Sequence, residues 1–303
     1  MAQSTQLVVI GAGPGGYAAA FAAADLGLQV TLVDPEANPG GVCLYRGCIP
    51  SKALLHVAKV IAEAKHAPHW GVTFSEPTID LDTLRTFKDN VVGKMTGGLG
   101  QLRNSRKINY LQGMATFVDN RTLSVDLVAG GKETLTFQHA IIATGSRPAT
   151  IPGWSVKSDR LMDSTGALEL KDIPKTLLVV GGGYIGLELG SVYAALGTKV
   201  TVVEMTPGLL PGADRDLVTF LHRRLETHLH KIYTDTKVTG VKEVKGGLEV
   251  SMEGAALKDD EKAQTFERVL VSIGRRPNGA VPGLDKTRVK VTERGFIEVD
   301  QRL

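Results

Sequence analysis

The sequence predicts an α/β protein in which one three-layer unit is built twice, and three observations predict it. A glycine-rich block recurs at an offset of 170 residues. Each copy follows a short run of apolar β-formers and opens a helical stretch that leads to a second such run. Each second run ends in a carboxylate 23 residues after the first glycine of its block.

In chain order, the apolar run Gln6–Ile10 leads into Gly11-Ala12-Gly13-Pro14-Gly15-Gly16, and the run Thr176–Val180 leads into Gly181-Gly182-Gly183-Tyr184-Ile185-Gly186. The helices that follow end at Leu26-Gly27 and Leu196-Gly197, where a glycine suits the left-handed position just past a helix. The second strands are Val30–Asp34 and Val200–Glu204. In such a block the first glycine (Gly11, Gly181) permits a tight turn. The second (Gly13, Gly183) lets backbone approach a pyrophosphate, and the third (Gly16, Gly186) lets helix and strand pack closely. The helix N-terminus then meets the negative charge, and Asp34 or Glu204 accepts hydrogen bonds from an adenosine ribose. A single such block is weak evidence; two copies in the same context define two Rossmann-like dinucleotide-binding domains. The copies match again at Ala140–Pro148 and Val269–Pro277, around Gly145 and Gly274. Before each lies a stretch of short alternating strands, near 115–137 and 238–266, that reads as an antiparallel β-meander.

From Asp34 to Gly145 is 111 residues and from Glu204 to Gly274 is 70, so the first copy carries about 41 more. The extra segment reads as two helices, roughly 50–65 and 82–103. The second is expected to start at a capping Asp82 and to bury Leu84, Phe87, Val91 and Met95. The expected domains are 1–148, 149–276 and a segment 277–303 that turns back toward the first.

The only cysteines, Cys43 and Cys48, sit in Gly40-Gly41-Val42-Cys43-Leu44-Tyr45-Arg46-Gly47-Cys48-Ile49-Pro50-Ser51-Lys52. On one regular helix, residues five apart have Cα atoms roughly 8–9 Å apart, whereas a disulfide needs less than about 7 Å. A bridge would therefore require a break, which Gly47 makes easy. Pro50 fits a first helical turn and puts Cys48 at the positive end of a helix, where a thiolate is stabilised; Lys52 adds to this. Zinc is disfavoured, because no second cysteine pair or histidine cluster accompanies these two; no metal site is expected. Among the seven histidines, His228 and His230 read as surface residues.

A net charge of +3 over 303 residues, with the basic run His222-Arg223-Arg224 on a solvated helix face, argues against nucleic acid or a membrane surface as partner. No apolar run approaches the ~20 residues of a membrane span, and the first strand begins too near Met1 for a leader peptide. A cytoplasmic location is expected.

The run Gly-Gly-Val-Cys-x4-Cys-Ile-Pro-Ser-Lys between two dinucleotide-binding repeats resembles the dihydrolipoamide dehydrogenases, within the flavoprotein pyridine nucleotide-disulfide oxidoreductase family. The resemblance covers the whole chain, including Lys52–His56 and Gly181–Gly190. It implies FAD on the first domain, with Gly41, Ala115, Thr144 and Gly145 joining Gly11, Gly13, Gly15, Gly16 and Asp34. It implies NAD on the second, with Tyr184, Ile185, Val238 and Gly274 joining Gly181, Gly183, Gly186 and Glu204. Cys43 becomes the thiol that exchanges with dihydrolipoamide and Cys48 the sulfur against the flavin. Lys52 lies near the flavin with Glu188 as its partner. Lipoyl domains of 2-oxoacid dehydrogenase complexes are the implied partners, and homodimers the implied assembly. Glu204 would repel a 2′-phosphate, so NAD is expected over NADP. Another family member with a similar active-site pair, such as mercuric reductase, is the alternative within the family. The family pattern continues past Leu303 into a further strand, an Ala-x-Gly-Asp-like motif and an interface domain with a His–Glu base pair. The 303 residues by themselves are therefore expected to have little or no dihydrolipoamide dehydrogenase activity, and a non-catalytic nucleotide-binding fragment is the alternative from another class.

Overall fold

The computed structural model describes residues 3–154 and 156–303, which divide into two compact units. Unit 1 holds residues up to 49, then 90–147 and 275–303; unit 2 holds 50–89 and 148–274.

The first repeat comprises β1 (Gln3–Ile10), α1 (Pro14–Asp25), β2 (Val30–Asp34) and the short α2 (Gly41–Arg46). The insertion forms α3 (Cys48–His66) and α4 (Leu81–Ser105), each slightly longer than expected. Then come β3 (Asn109–Asp119), β4 (Thr122–Leu127), β5 (Lys132–Ile142) and β6 (Ser146–Pro148). The second repeat runs through β7 (Leu161–Met162), α5 (Ser164–Glu169), β8 (Thr176–Val180), α6 (Tyr184–Ala195), β9 (Lys199–Val203) and α7 (Arg215–Glu226). It ends with β10 (Lys231–Tyr233), β11 (Lys237–Val244), β12 (Gly247–Glu253), β13 (Ala263–Phe266), β14 (Arg268–Val271) and β15 (Arg275–Pro277).

In unit 1, β1 pairs in parallel with β2 and β5, and β2 with the start of β3. The far halves of β3 and β5 continue into an antiparallel meander with β4, which closes the hydrogen-bonded ring. Because strand side chains alternate faces, Leu7, Val9, Val30 and Leu32 pack under α1 with Ala20 and Ala23. Val8, Ile10 and Val33 face the meander residues Leu111, Phe117, Leu123, Val125 and Leu135. Both faces are covered, which is why the strands read as continuous apolar runs. Segment 275–303 belongs to this unit: Val281 and Leu284 join the meander-side core, and Phe117 N–H donates to the Pro282 carbonyl (2.8 Å).

Unit 2 repeats the scheme with a five-stranded parallel sheet, ordered β10-β9-β8-β14-β7, and a separate three-stranded meander β11-β12-β13. Leu177, Val179, Val200 and Val202 face the α6 side, while Leu178, Val180 and Val203 face Leu248, Val250 and Phe266 of the meander.

Residues 50–89 of the insertion pack into unit 2. Leu54, Ile61 and Leu84 join its helix-side core with Leu168, Leu170 and Leu189. Buried Lys88 donates to the Leu168 carbonyl (2.9 Å), and Arg85 donates to the carbonyls of Leu170 (2.9 Å) and Lys171 (3.1 Å). Together they satisfy the C-terminal end of α5. Two expectations for α4 are corrected. Its cap is Asp80, which accepts from the N–H groups of Asp82 and Thr83 (both 3.1 Å). Phe87 and Met95 are exposed. Leu84 is buried as expected, and the other buried positions are Lys88, Thr96 and Gly100, a stripe at multiples of four whose polar members disguise it. Among the described residues no helix is long and apolar enough to cross a membrane.

Candidate functional site

The two glycine-rich loops have one construction. Gly11 and Gly181 adopt positive φ (98° and 108°), and a Cβ at either would overlap the facing backbone carbonyl of Ala143 or Ser272. A Cβ on Gly16 or Gly186 would overlap the carbonyl oxygen of Gly11 or Gly181, so helix and strand are as close as backbone allows. Gly13 and Gly183 are the N-cap residues of α1 and α6, and neither first turn has a side-chain cap. Around Gly15 and Gly183 the space is open. Helix N–H groups without a side-chain cap beside open space fit a pyrophosphate. Tyr184 is largely exposed beside its loop, whereas the Ile185 side chain packs against the core, leaving its backbone for ligand contact.

Both acids are buried and serve the loop itself. Asp34 Oδ2 accepts from Ala12 N–H (2.6 Å), and Oδ1 from Glu36 N–H (2.9 Å). Glu204 Oε2 accepts from Gly182 N–H (2.7 Å), and Oε1 from both the N–H and hydroxyl of Thr206 (2.8 Å each). Burial pushes the Asp34 carboxyl upward, against the Ala12 N–H and the Arg46 guanidinium, which favour its charged form. Thr206 was not singled out from the sequence. Its signal was its place two residues past the acid, matching Glu36 in the other copy.

The cysteine segment is built onto the first loop. Gly40 N–H donates to the Ala12 carbonyl (2.8 Å), and Gly41, at φ 56°, lies so close that a Cβ would overlap the Gly13 Cα. Cys43 is half-buried in α2. At Gly47 the backbone leaves helical geometry (φ −147°, ψ −115°), and Cys48, exposed, is the first residue of α3. The helix is thus interrupted between the two sulfurs, and Cys48 occupies a helix N-terminus.

In unit 2, Lys52 Nζ lies 2.6 Å from Glu188 Oε1, and the Ser51 hydroxyl donates to Oε2 (3.2 Å). α3 and α6 thus bring together two residues 136 apart in the chain. Ala115 and Val238 are core side chains, so any cofactor contact there is through backbone. Thr144 and Gly145 are held by Asn278. Thr144 donates to the Asn278 carbonyl (2.8 Å), and Asn278 donates to the carbonyls of Thr144 (3.1 Å) and Gly145 (2.9 Å). Gly274 has positive φ (117°) and open space around it. Among the described residues no group of three or more His, Cys, Asp or Glu is arranged to hold a metal ion.

The two glycine-rich loops share one construction, and the paired-cysteine segment is seated on the first. The chain belongs to the pyridine nucleotide-disulphide oxidoreductase family, whose profile matches residues 5–303. Relatives include the dihydrolipoyl dehydrogenases of Haemophilus influenzae (50% identical over 299 residues, 99% of this chain) and Vibrio cholerae (46% over 298 residues, 98% of this chain). The chain spans 62% of the length of each. The HOCl-induced flavoprotein disulfide reductase RclA from Escherichia coli, in its Cu(II) complex, superposes with a TM-score of 0.84 at 29% identity. That match covers 100% of this chain and 64% of that one.

Proposed function

We propose that this chain carries the dinucleotide and dithiol machinery of a flavoprotein that oxidises dihydrolipoamide with NAD+. The observation that carries the reading is the seating of the Cys43–Cys48 segment on the Gly11–Gly16 loop, through Gly40 and Gly41. The first loop, with Asp34, Thr144, Gly145 and the Ala115 backbone, would hold FAD. The second, with Glu204, Gly274 and the Val238 backbone, would hold NAD. FAD, when bound, supplies the two-electron relay between dithiol and nicotinamide. Cys43 would take up the attacking thiol of dihydrolipoamide and Cys48 would leave as thiolate, favoured by its helix N-terminus. Completion of the exchange gives lipoamide and two protein thiols. As the Cys43–Cys48 disulfide re-forms, the two thiols give up two electrons and two protons; NAD+ takes both electrons and one proton to become NADH, and the second proton is released. Lys52 would serve as a charged group held by Glu188, which also accepts from the Ser51 hydroxyl. Lipoyl domains, a homodimeric assembly and a cytoplasmic setting belong to the same reading.

The test is to load the protein with FAD and titrate it anaerobically with NADH and with dihydrolipoamide. Both should perturb the flavin spectrum, and Cys43→Ser should abolish only the dihydrolipoamide response. A dihydrolipoamide response unchanged in Cys43→Ser would refute the assignment. Likeness to a flavoprotein disulfide reductase favours a second reading, with a different disulfide as substrate. Substrate competition against lipoamide separates the two.

A further inference from the structure

We infer that Glu36, Arg46 and Tyr45 are positioning residues that clamp the dithiol segment to the turn after Asp34 and thereby set its redox equilibrium. α2 has only six residues, too few to hold helical geometry alone. Its N-terminal end is fixed by Gly40 and Gly41 on the glycine-rich loop. Its other end is fixed by two consecutive side chains. The Tyr45 hydroxyl donates to the Asn38 carbonyl (3.0 Å) and accepts from the Asn38 N–H (3.2 Å), and Arg46 forms an ion pair with Glu36.

The anchor is itself rigid. Glu36 N–H donates to Asp34 Oδ1 (2.9 Å), the Glu36 carbonyl accepts from the Tyr110 hydroxyl (2.8 Å), and Asn38 packs so closely on Gly100 that a Cβ there would overlap its Oδ1. The clamp grips residues 45 and 46, so the backbone departs from helix at Gly47, between the two cysteines. In the reduced protein, the effective concentration of one thiol at the other depends on how firmly this segment is held. Loosening it lowers that concentration and makes the disulfide easier to reduce. Arg46 could act instead by charge alone, stabilising thiolates. The two mechanisms differ in sign for Glu36→Gln, which breaks the ion pair yet leaves the cation, against Arg46→Gln, which removes the cation.

The experiment equilibrates the whole protein and its variants with glutathione and glutathione disulfide. Each protein disulfide formed consumes one glutathione disulfide and releases two glutathiones. Trapped Cys43 and Cys48 are then read by alkylation and mass. Glu36→Gln and Arg46→Gln should each shift the equilibrium toward dithiol by about threefold, in line with a half-exposed ion pair. Glu36→Gln with Tyr45→Phe should reach about tenfold, which is about 30 mV. Arg46→Lys should restore part of the shift, and unchanged melting curves would exclude misfolding as its cause. Opposite shifts for Glu36→Gln and Arg46→Gln, or no shift, would overturn the clamp. The inference rests on Cys43 and Cys48 being a redox pair. A wild-type protein that never forms the linked peptide refutes that reading itself, whereas a wild-type disulfide unmoved by the variants refutes only the clamp.

Discussion

Replacing Glu204 with Gln tests whether the acid at the end of β9 holds the loop. The carboxylate is buried and accepts three hydrogen bonds, one from Gly182 N–H and two from Thr206. A glutamine offers one acceptor oxygen and one NH2 group. However it turns, one backbone N–H then faces a donor and is left buried without a partner. A hydrogen bond to a charged group is worth about 1.5–3 kcal/mol, and those that remain weaken as the charge is lost. The sum is a loss of about 2–4 kcal/mol, which lowers the melting temperature by roughly 5–15 °C for a unit of 150–250 residues. Glu204→Ala should cost more, since both backbone N–H groups lose their acceptor. Urea unfolding monitored in unit 2 gives the stability change, and calorimetry with NADH and NADPH gives the affinities. NADH should bind more tightly than NADPH to the wild type and lose affinity in both variants. A Glu204→Gln protein with wild-type stability and selectively lost NADH affinity would refute the loop-holding role.

Three further outcomes are expected. Air-oxidised protein should show the loss of two hydrogens and one peptide linking Cys43 to Cys48 by mass spectrometry without reductant; two independently alkylated thiols would contradict the redox reading. Lys88→Met removes a buried charge-assisted bond to the Leu168 carbonyl, so chemical denaturation should register a loss of about 1.5–3 kcal/mol; unchanged stability would mean the α5 terminus is satisfied without Lys88. Glu261 is held at about 2 by the Lys231 ammonium, with help from the Lys258 N–H and the Tyr233 hydroxyl. Because its folded-state value lies below the ordinary one, it stabilises the fold above about 4.5 and loses that contribution as pH falls toward about 2. The melting-temperature advantage of wild type over Glu261→Gln should therefore shrink across that window, and a constant difference would count against it.

What could be read from the sequence was whatever depends on local period and on glycine. The continuous apolar runs marked the parallel strands, Gly11, Gly16, Gly181 and Gly186 marked places where backbone touches backbone, and the two carboxylates stood at matching positions. The packing of the insertion was less legible. Phe87 and Met95 carry the apolar signal on α4, yet the buried face runs through Lys88 and Thr96. Lys88 is buried because its amine meets the carbonyl end of α5, a partner 80 residues away that no helical period announces. The Lys52–Glu188 pair was accessible only through resemblance, since nothing local to either residue points to the other.

The duplication itself argues for what the acids do. Gly11 N–H meets the Val33 carbonyl at 2.8 Å and Gly181 N–H meets the Val203 carbonyl at 2.8 Å; Ala143 to Ile10 and Ser272 to Val180 are likewise both 2.8 Å. On this shared frame one copy has Asp and the other Glu, a side chain one methylene longer. Even so, each carboxylate spans the same two backbone N–H groups, the residue after the first glycine and the residue two past the acid. A group kept only for a ribose would have no reason to meet the same pair of donors from two side-chain lengths. Each carboxylate therefore ties the glycine-rich loop to the turn after the second strand, and a nucleotide would find that loop already shaped.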